Sequence, residues 1–318
     1  MWSKEKDYYT TDLGSNFYPM PLDIAEEMNL NIGRDKKRHT NNNGTLLLED
    51  REYELEFLPS GIYRLIPSTS YTYHALPQVL EKKDRILDLK FRDDILKAFN
   101  VFKAREEVYR TAELCYKRGI LLYGPPGTGK TTIIHSVIAD MVDKDCLVLF
   151  VKLSLPEDIC VNLKKDKRLK IIIFEEFTAT LNHSYNDTID MLDFLDGEKS
   201  LDNCFIIATT NYPEKIPGNF VDRPGRFDKL YKVDYINKSD ATLYCKAVLK
   251  RELDEDEIKT VEKLQDVTIA QLREVILMMK LEDLSMLNAY YKIQAQSLLV
   301  KQDFTARKRI GFNSDEDD

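Results

Sequence analysis

Gly124-Pro125-Pro126-Gly127-Thr128-Gly129-Lys130-Thr131 is the stretch that decides the fold. It satisfies G-x-x-x-x-G-K-[ST] at every fixed position. Ile120-Leu121-Leu122-Tyr123 before it is an apolar run of buried-strand length, and Thr132–Met141 after it reads as a helix. Strand, glycine-rich loop and helix in that order let consecutive backbone N–H groups curl into one concavity at a helix N-terminus, where the dipole favours anions. Lys130 adds a point charge for β- and γ-phosphates, and the Thr131 hydroxyl can ligate Mg2+.

Working outward, further short apolar runs follow at Leu147–Val151, Ile171–Phe174 and Cys204–Ala208, with helical or loop sequence between them. Strands alternating with helices predict a parallel α/β sheet covered on both faces. Ile171-Ile172-Ile173-Phe174 ends in Glu175-Glu176. Ligands of open α/β sheets bind at the carboxyl ends of strands. Glu175 is therefore the expected holder of Mg2+ through a water, and Glu176 the group that polarises an attacking water, as general base or as orienter. A second carboxylate here points to hydrolysis rather than transfer to another acceptor. Cys204–Ala208 runs on through Thr209-Thr210 to Asn211, which can hydrogen-bond that water or a γ-phosphate. Val221-Asp222-Arg223-Pro224-Gly225-Arg226-Phe227-Asp228 then puts Arg223 and Arg226 on a rigid turn. Both guanidinium groups are expected to face outward, where another subunit's nucleotide could receive them.

Before the sheet, Arg51–Phe57 alternates with period 2, Leu58-Pro59-Ser60-Gly61 is a turn and Ile62–Ile66 reads as the returning strand. Residues 1–43 read as loops with at most one short helix near Pro21–Asn29. Ile95, Phe99 and Phe102 have helical spacing, and the chain after Tyr235 is helical, with Thr268 and Gln271 spaced as a capping box. The expected organisation is a loop-rich segment at 1–43, a small β-rich module at 44–85, a nucleotide-binding domain at 86–236, a helical lid at 237–303 and an acidic tail at 304–318.

The 318 residues carry 46 basic and 54 acidic side chains, a net charge of −8, and 43% are hydrophobic. That is a core-forming chain. Its acidic balance weighs against wholesale binding to nucleic-acid backbones. No window approaches about 18 consecutive apolar residues, so no membrane span is expected. The N-terminus MWSKEKDYYTTD lacks the apolar centre of a secretory signal. Cys115, Cys146, Cys160, Cys204 and Cys245 are scattered, which argues against a zinc cage or disulfide framework and for a cytoplasmic setting.

Over residues 86–300 these features resemble the AAA branch of the AAA+ ATPases. Within it, Val101–Tyr109 with Lys117–Gly124, Leu192–Gly197, Thr209–Glu214 and Arg223–Arg226 are similar to the mitochondrial Rieske-protein translocase branch. The resemblance implies an α/β P-loop NTPase AAA+ domain with a C-terminal helical lid. ATP is bound at the interfaces of a homo-oligomeric ring, a hexamer or heptamer. The implied nucleotide contacts run through Gly124, Pro125, Pro126, Gly127, Thr128, Gly129, Lys130, Thr131 and Thr132, with Mg2+ at Thr131 and Glu175. Ala270 would occupy the second sensor position, or Arg273 in another register.

Two departures bear on function. Ser154-Leu155-Pro156-Glu157-Asp158 stands where many AAA unfoldases carry an aromatic–hydrophobic–Gly pore loop. Lys164-Lys165-Asp166-Lys167-Arg168 reads as a solvated helix end rather than a pore-lining patch. The expected function is an ATP-driven ring that remodels or moves a macromolecular client, a protein recognised by residues 1–85. A nucleic-acid motor or helicase loader and an ATP-gated scaffold are the alternatives.

Overall fold

A computed structural model of the chain describes residues 2–5, 8–11, 20–21, 46–48, 51–53, 60–67, 73–78, 80, 91–142, 146–152, 155, 157–181, 185–223 and 225–296. They divide into two compact units. The larger holds the sheets and the helices before Val233; the smaller takes in Gly124–Gly129 and the described residues from Val233 onward.

The larger unit is built on a sheet of nine strands in the order β12-β8-β11-β10-β9-β6-β7-β4-β5. Its centre is β8 (Lys117–Tyr123), β9 (Cys146–Val151), β10 (Leu169–Phe174) and β11 (Cys204–Thr210), all parallel, with β12 (Lys229–Lys232) parallel to β8 at one edge. Every residue of β9 and β11 is buried. Continuous Val, Ile, Leu and Phe runs are what a strand covered on both faces requires. Leu149, Ile172 and Ile206 stand opposite one another across β9, β10 and β11. The covering helices are α1 (Arg92–Ala104), α2 (Glu106–Thr111), α3 (Lys130–Met141), α4 (Glu157–Lys165), α5 (Phe177–Leu181) and α6 (Tyr185–Asp196). Ile95, Phe99 and Phe102 form the buried stripe of α1, as their spacing predicts. The chain leaves β8 for β9 on one side, past β11 and β10, and later returns to β12 on the other side. The end of β8 is thus the switch point where α/β sheets open a ligand crevice.

The N-terminal strands depart from the sequence expectation. β4 (Leu46–Leu48), β5 (Arg51–Tyr53), β6 (Gly61–Pro67) and β7 (Tyr73–Pro77) extend the central sheet. Ile62–Ile66 does not return along Arg51–Tyr53: β6 pairs parallel with β9, Gly61 opposite Leu147 and Leu65 opposite Val151, and antiparallel with β7. Tyr63, Leu65 and Ala75 are buried in the same core as Leu147, Leu149 and Ile172. An apolar strand such as β9 needs its free edge covered, and β6 covers it. Within residues 2–21, read as loop, β1 (Trp2–Glu5), β2 (Tyr8–Thr11) and β3 (Met20–Pro21) form a separate antiparallel sheet. Residues 54–57, the helix near Pro21–Asn29 beyond Pro21 itself, and the acidic tail lie outside the described residues.

The smaller unit packs α7 (Lys238–Leu249), α8 (Glu255–Lys263), α9 (Ile269–Leu281) and a helical stretch at 286–296 around Tyr244, Val261, Leu272, Val275, Ile276 and Tyr290. Thr268 and Gln271 form the expected capping box at the start of α9, and Asp254 with Glu257 forms another on α8.

Candidate active site

In the larger unit, β10 and β11 end side by side, with Phe174 opposite Ala208, so the residues that follow them meet at one rim of the sheet. Glu176 sits in the left-handed region at φ 55°, an uncommon conformation for a residue with a β-carbon and one that functional sites hold at a cost. Its N–H donates to Thr209 Oγ1 at 3.2 Å, and Asn211 Nδ2 donates to its Oε1. The strand next door therefore aims the carboxylate. Lys130 opens α3 and is only 5% exposed. Burial pushes its ammonium below the ordinary lysine range, and Glu176 pulls it partly back. Thr131 and Thr132 follow in the exposed first turn. Glu175 is half-buried, with Arg64 Nη1 at 3.0 Å from Oε2 and His135 Nε2 at 3.9 Å from Oε1.

In the smaller unit, the loop Gly124–Gly129 lies against the start of α9. Gly127 has φ +79°, and a β-carbon there would stand 2.9 Å from Ala270 Cβ and 3.1 Å from Thr268 Oγ1. The N–H of Ala270 donates to Gly127 O at 3.1 Å. Gly124 has φ +145°, and a β-carbon there would meet Val233 O at 2.1 Å. Thr128 Oγ1 ties the loop to Pro125 O at 2.9 Å, leaving Pro126 exposed at the bend. A loop that admits no side chain on its inner face leaves bare backbone, the form a phosphate cradle takes. Arg273, a turn further along α9, is exposed and lines a shallow groove with Tyr244, Ile276 and Lys280. The Thr131 hydroxyl and the Glu175 carboxylate are hard oxygen donors of the kind Mg2+ takes.

The two arginines separate. Arg223 is 66% exposed, with Nε 3.3 Å from Asp196 Oδ2. Arg226 is buried: its Nη1 donates to Asn219 O, and its Nε faces the same Asp196 oxygen at 3.7 Å. The expectation that both face outward is corrected for Arg226. Phe227 packs edge-on against Phe177 at 5.2 Å in the core, and Gly119 makes room for the Arg226 carbonyl, where a β-carbon would stand 1.9 Å away. Both contacts draw that end of the turn inward. Asp196 and Arg64 were not singled out by the sequence. Asp196 lies in the quoted Leu192–Gly197 stretch just before Gly197, whereas Arg64 carries no local signal.

Leu155 is buried, while Ser154 and Pro156 lie outside the described residues. Within the basic stretch Arg168 pairs with Asp166 at 2.6 Å and Lys164 Nζ donates to Glu198 O, while Lys164, Lys165 and Lys167 are exposed.

Residues 120–235 match the family model "ATPase family associated with various cellular activities (AAA)". "Probable mitochondrial chaperone bcs1" of Schizosaccharomyces pombe is 31% identical over 138 residues, covering 40% of this chain and 30% of that protein. "Probable mitochondrial chaperone BCS1-A" of Dictyostelium discoideum is 27% identical over 170 residues, covering 48% and 40%. "AAA ATPase forming ring-shaped complexes" of Corynebacterium glutamicum (strain R) is 29% identical over 164 residues, covering 42% and 31%. The matches span less than half the length of each relative. Residues 120–235 are thus an AAA ATPase domain on an α/β P-loop NTPase fold. The cytoplasmic expectation is corrected, since two of these relatives are named as mitochondrial chaperones. A scattered spacing of cysteines argues against a disulfide framework, and that does not single out the cytoplasm. Among the described residues no helix is long and apolar enough to cross a membrane.

Proposed function

We propose that this AAA ATPase domain hydrolyses ATP to ADP and phosphate within a homo-oligomeric ring, and that the energy remodels or moves a protein client. The observation that carries this reading is the convergence of Lys130, Glu176 and Asn211 at the rim where β10 and β11 end. The backbone of Gly124–Gly129 and the ammonium of Lys130 hold the phosphates. Glu176, aimed by Asn211 and Thr209, orients the attacking water and accepts its proton. Mg2+, held by the Thr131 hydroxyl and by Glu175, would neutralise the charge shared between β- and γ-phosphate oxygens. Arg223, exposed beside Asp196, reaches the nucleotide of a neighbouring copy, while Arg226 fixes the turn that carries it. A protein client is favoured over nucleic acid by the net charge of −8 and by the pairing of Lys164 and Arg168 within the chain. Two relatives named as chaperones lean the same way.

Light scattering of the purified chain in ATP and in ADP, with phosphate release followed alongside, tests this directly. Assembly into one ring-sized species in ATP, with turnover, is the expected result. A monomer in both nucleotides, or assembly without phosphate release, overturns it.

A further inference from the structure

Glu175 ends the strand in the middle of the nucleotide-binding sheet, yet its ion-pair partner comes from the N-terminal extension. Arg64 lies on β6, opposite Phe150 of β9 in the parallel register. Its Nη1 is 3.0 Å from Glu175 Oε2, and its guanidinium carbon stands 4.9 Å over the Phe150 ring. The two side chains are 23% and 22% exposed, so neither is a freely solvated surface charge. On the other side, His135 packs edge-on against Phe150 at 5.7 Å and faces Glu175 Oε1 at 3.9 Å. His135 follows Thr131 by four residues on α3, so both lie on one helix face. Glu175 is thus gripped at one oxygen by a planar, stacked guanidinium while its other oxygen turns toward the face of α3 that carries Thr131.

We infer that Arg64 is a positioning residue for the metal-holding carboxylate, through which the N-terminal strand reaches the nucleotide site. This rests on the reading of Glu175 and Thr131 given above. A carboxylate that holds a metal through water is weakly placed by itself, and a partner that fixes one oxygen selects the rotamer that offers the other. Arginine suits this better than lysine, because its fork is rigid and its face stacks on an aromatic ring. The positive charge need not oppose binding of the complex, because Mg2+ arrives with a triphosphate and the two together are anionic. The register of β6 on β9 carries the consequence. A slip of one residue would turn Arg64 to the opposite face and release Glu175.

The test is binding, read apart from turnover. A fluorescent, non-hydrolysable ATP analogue is titrated into full-length wild type, Arg64→Ala, Arg64→Lys, Glu175→Gln and the double variant Arg64→Ala/Glu175→Gln, once with excess Mg2+ and once with EDTA. Wild type should bind more tightly with Mg2+. Arg64→Ala should bind as wild type in EDTA and lose about tenfold of the Mg2+-dependent gain. Arg64→Lys should recover only part of it. In the Glu175→Gln background, Arg64→Ala should cost nothing more, because the two act as one unit. An unchanged Mg2+ gain in Arg64→Ala overturns the inference, as does a loss of equal size in EDTA. If Arg64→Ala does not fold, full wild-type behaviour of Arg64→Lys does the same. Failure of the wild type to bind the analogue at all overturns the proposed function, and binding without any Mg2+ gain overturns the metal role of Glu175.

Discussion

Asn211, at the end of β11, donates its side-chain amide to Oε1 of Glu176, at the end of β10. The link joins an acceptor of protons to a donor fixed on the neighbouring strand, and it holds a residue whose backbone is already in the left-handed region. Asn211→Ala should leave nucleotide affinity within about twofold and slow hydrolysis by about 10²-fold, the scale of losing one preorganised donor. Single-turnover phosphate release with affinity measured in parallel checks this; a matching loss in both would assign Asn211 to binding.

Arg223 and Arg226 share Asp196 but differ in exposure, and their variants should part accordingly. Arg223→Ala should bind nucleotide normally and hydrolyse it about 10³-fold more slowly, the low end of what an arginine supplied in trans contributes. Mixing it with Glu176→Gln should restore some turnover, because mixed rings contain sites that combine an intact carboxylate with an intact neighbouring arginine. Arg226→Ala should instead lower the melting temperature, since it removes the guanidinium donor of the Asn219 carbonyl and one of the cations facing Asp196. Rescue by Arg226→Ala in place of Arg223→Ala would reverse these assignments.

The helical unit carries its own acid sensitivity. Arg251 grips Glu257 with two hydrogen bonds of 2.7 and 2.6 Å, and this holds the Glu257 carboxyl below its ordinary value. A carboxylate with a lowered pKa stabilises the fold fully above the unfolded value and loses that contribution as pH falls through the folded one. Glu257→Gln should therefore cost about 1 kcal/mol at neutral pH, the exposed arginine limiting the figure. That difference should shrink as pH drops below about 4.3. Circular dichroism melts of the two proteins across the acid range follow it; a difference independent of pH would point to the cap geometry instead of the charge.

Much of the fold was written locally. Leu147–Val151, Ile171–Phe174 and Cys204–Ala208 are continuous apolar runs because both faces of those strands are covered, and such runs need no distant information to be read. Thr268 and Gln271 declare a helix start within four residues. The nucleotide loop is legible for the same reason, since its glycines and lysine act through neighbouring backbone. What escaped was non-local. Ile62–Ile66 has the pattern of a strand, but nothing in it names β9 as its partner, and so the meeting of Arg64 and Glu175 could not be foreseen. Arg223 and Arg226 look alike around one Pro-Gly turn. The packing of Phe227 against Phe177 and the close approach of the Arg226 carbonyl to Gly119 separate the outward arginine from the inward one.

The central claim is that Glu176 drives hydrolysis at this site, and steady-state phosphate release from wild type and Glu176→Gln under saturating Mg2+ and ATP tests it most directly. The account predicts that the variant retains bound nucleotide while its turnover falls by about 10²-fold or more. Equal rates in the two proteins, with nucleotide bound in both, would contradict it.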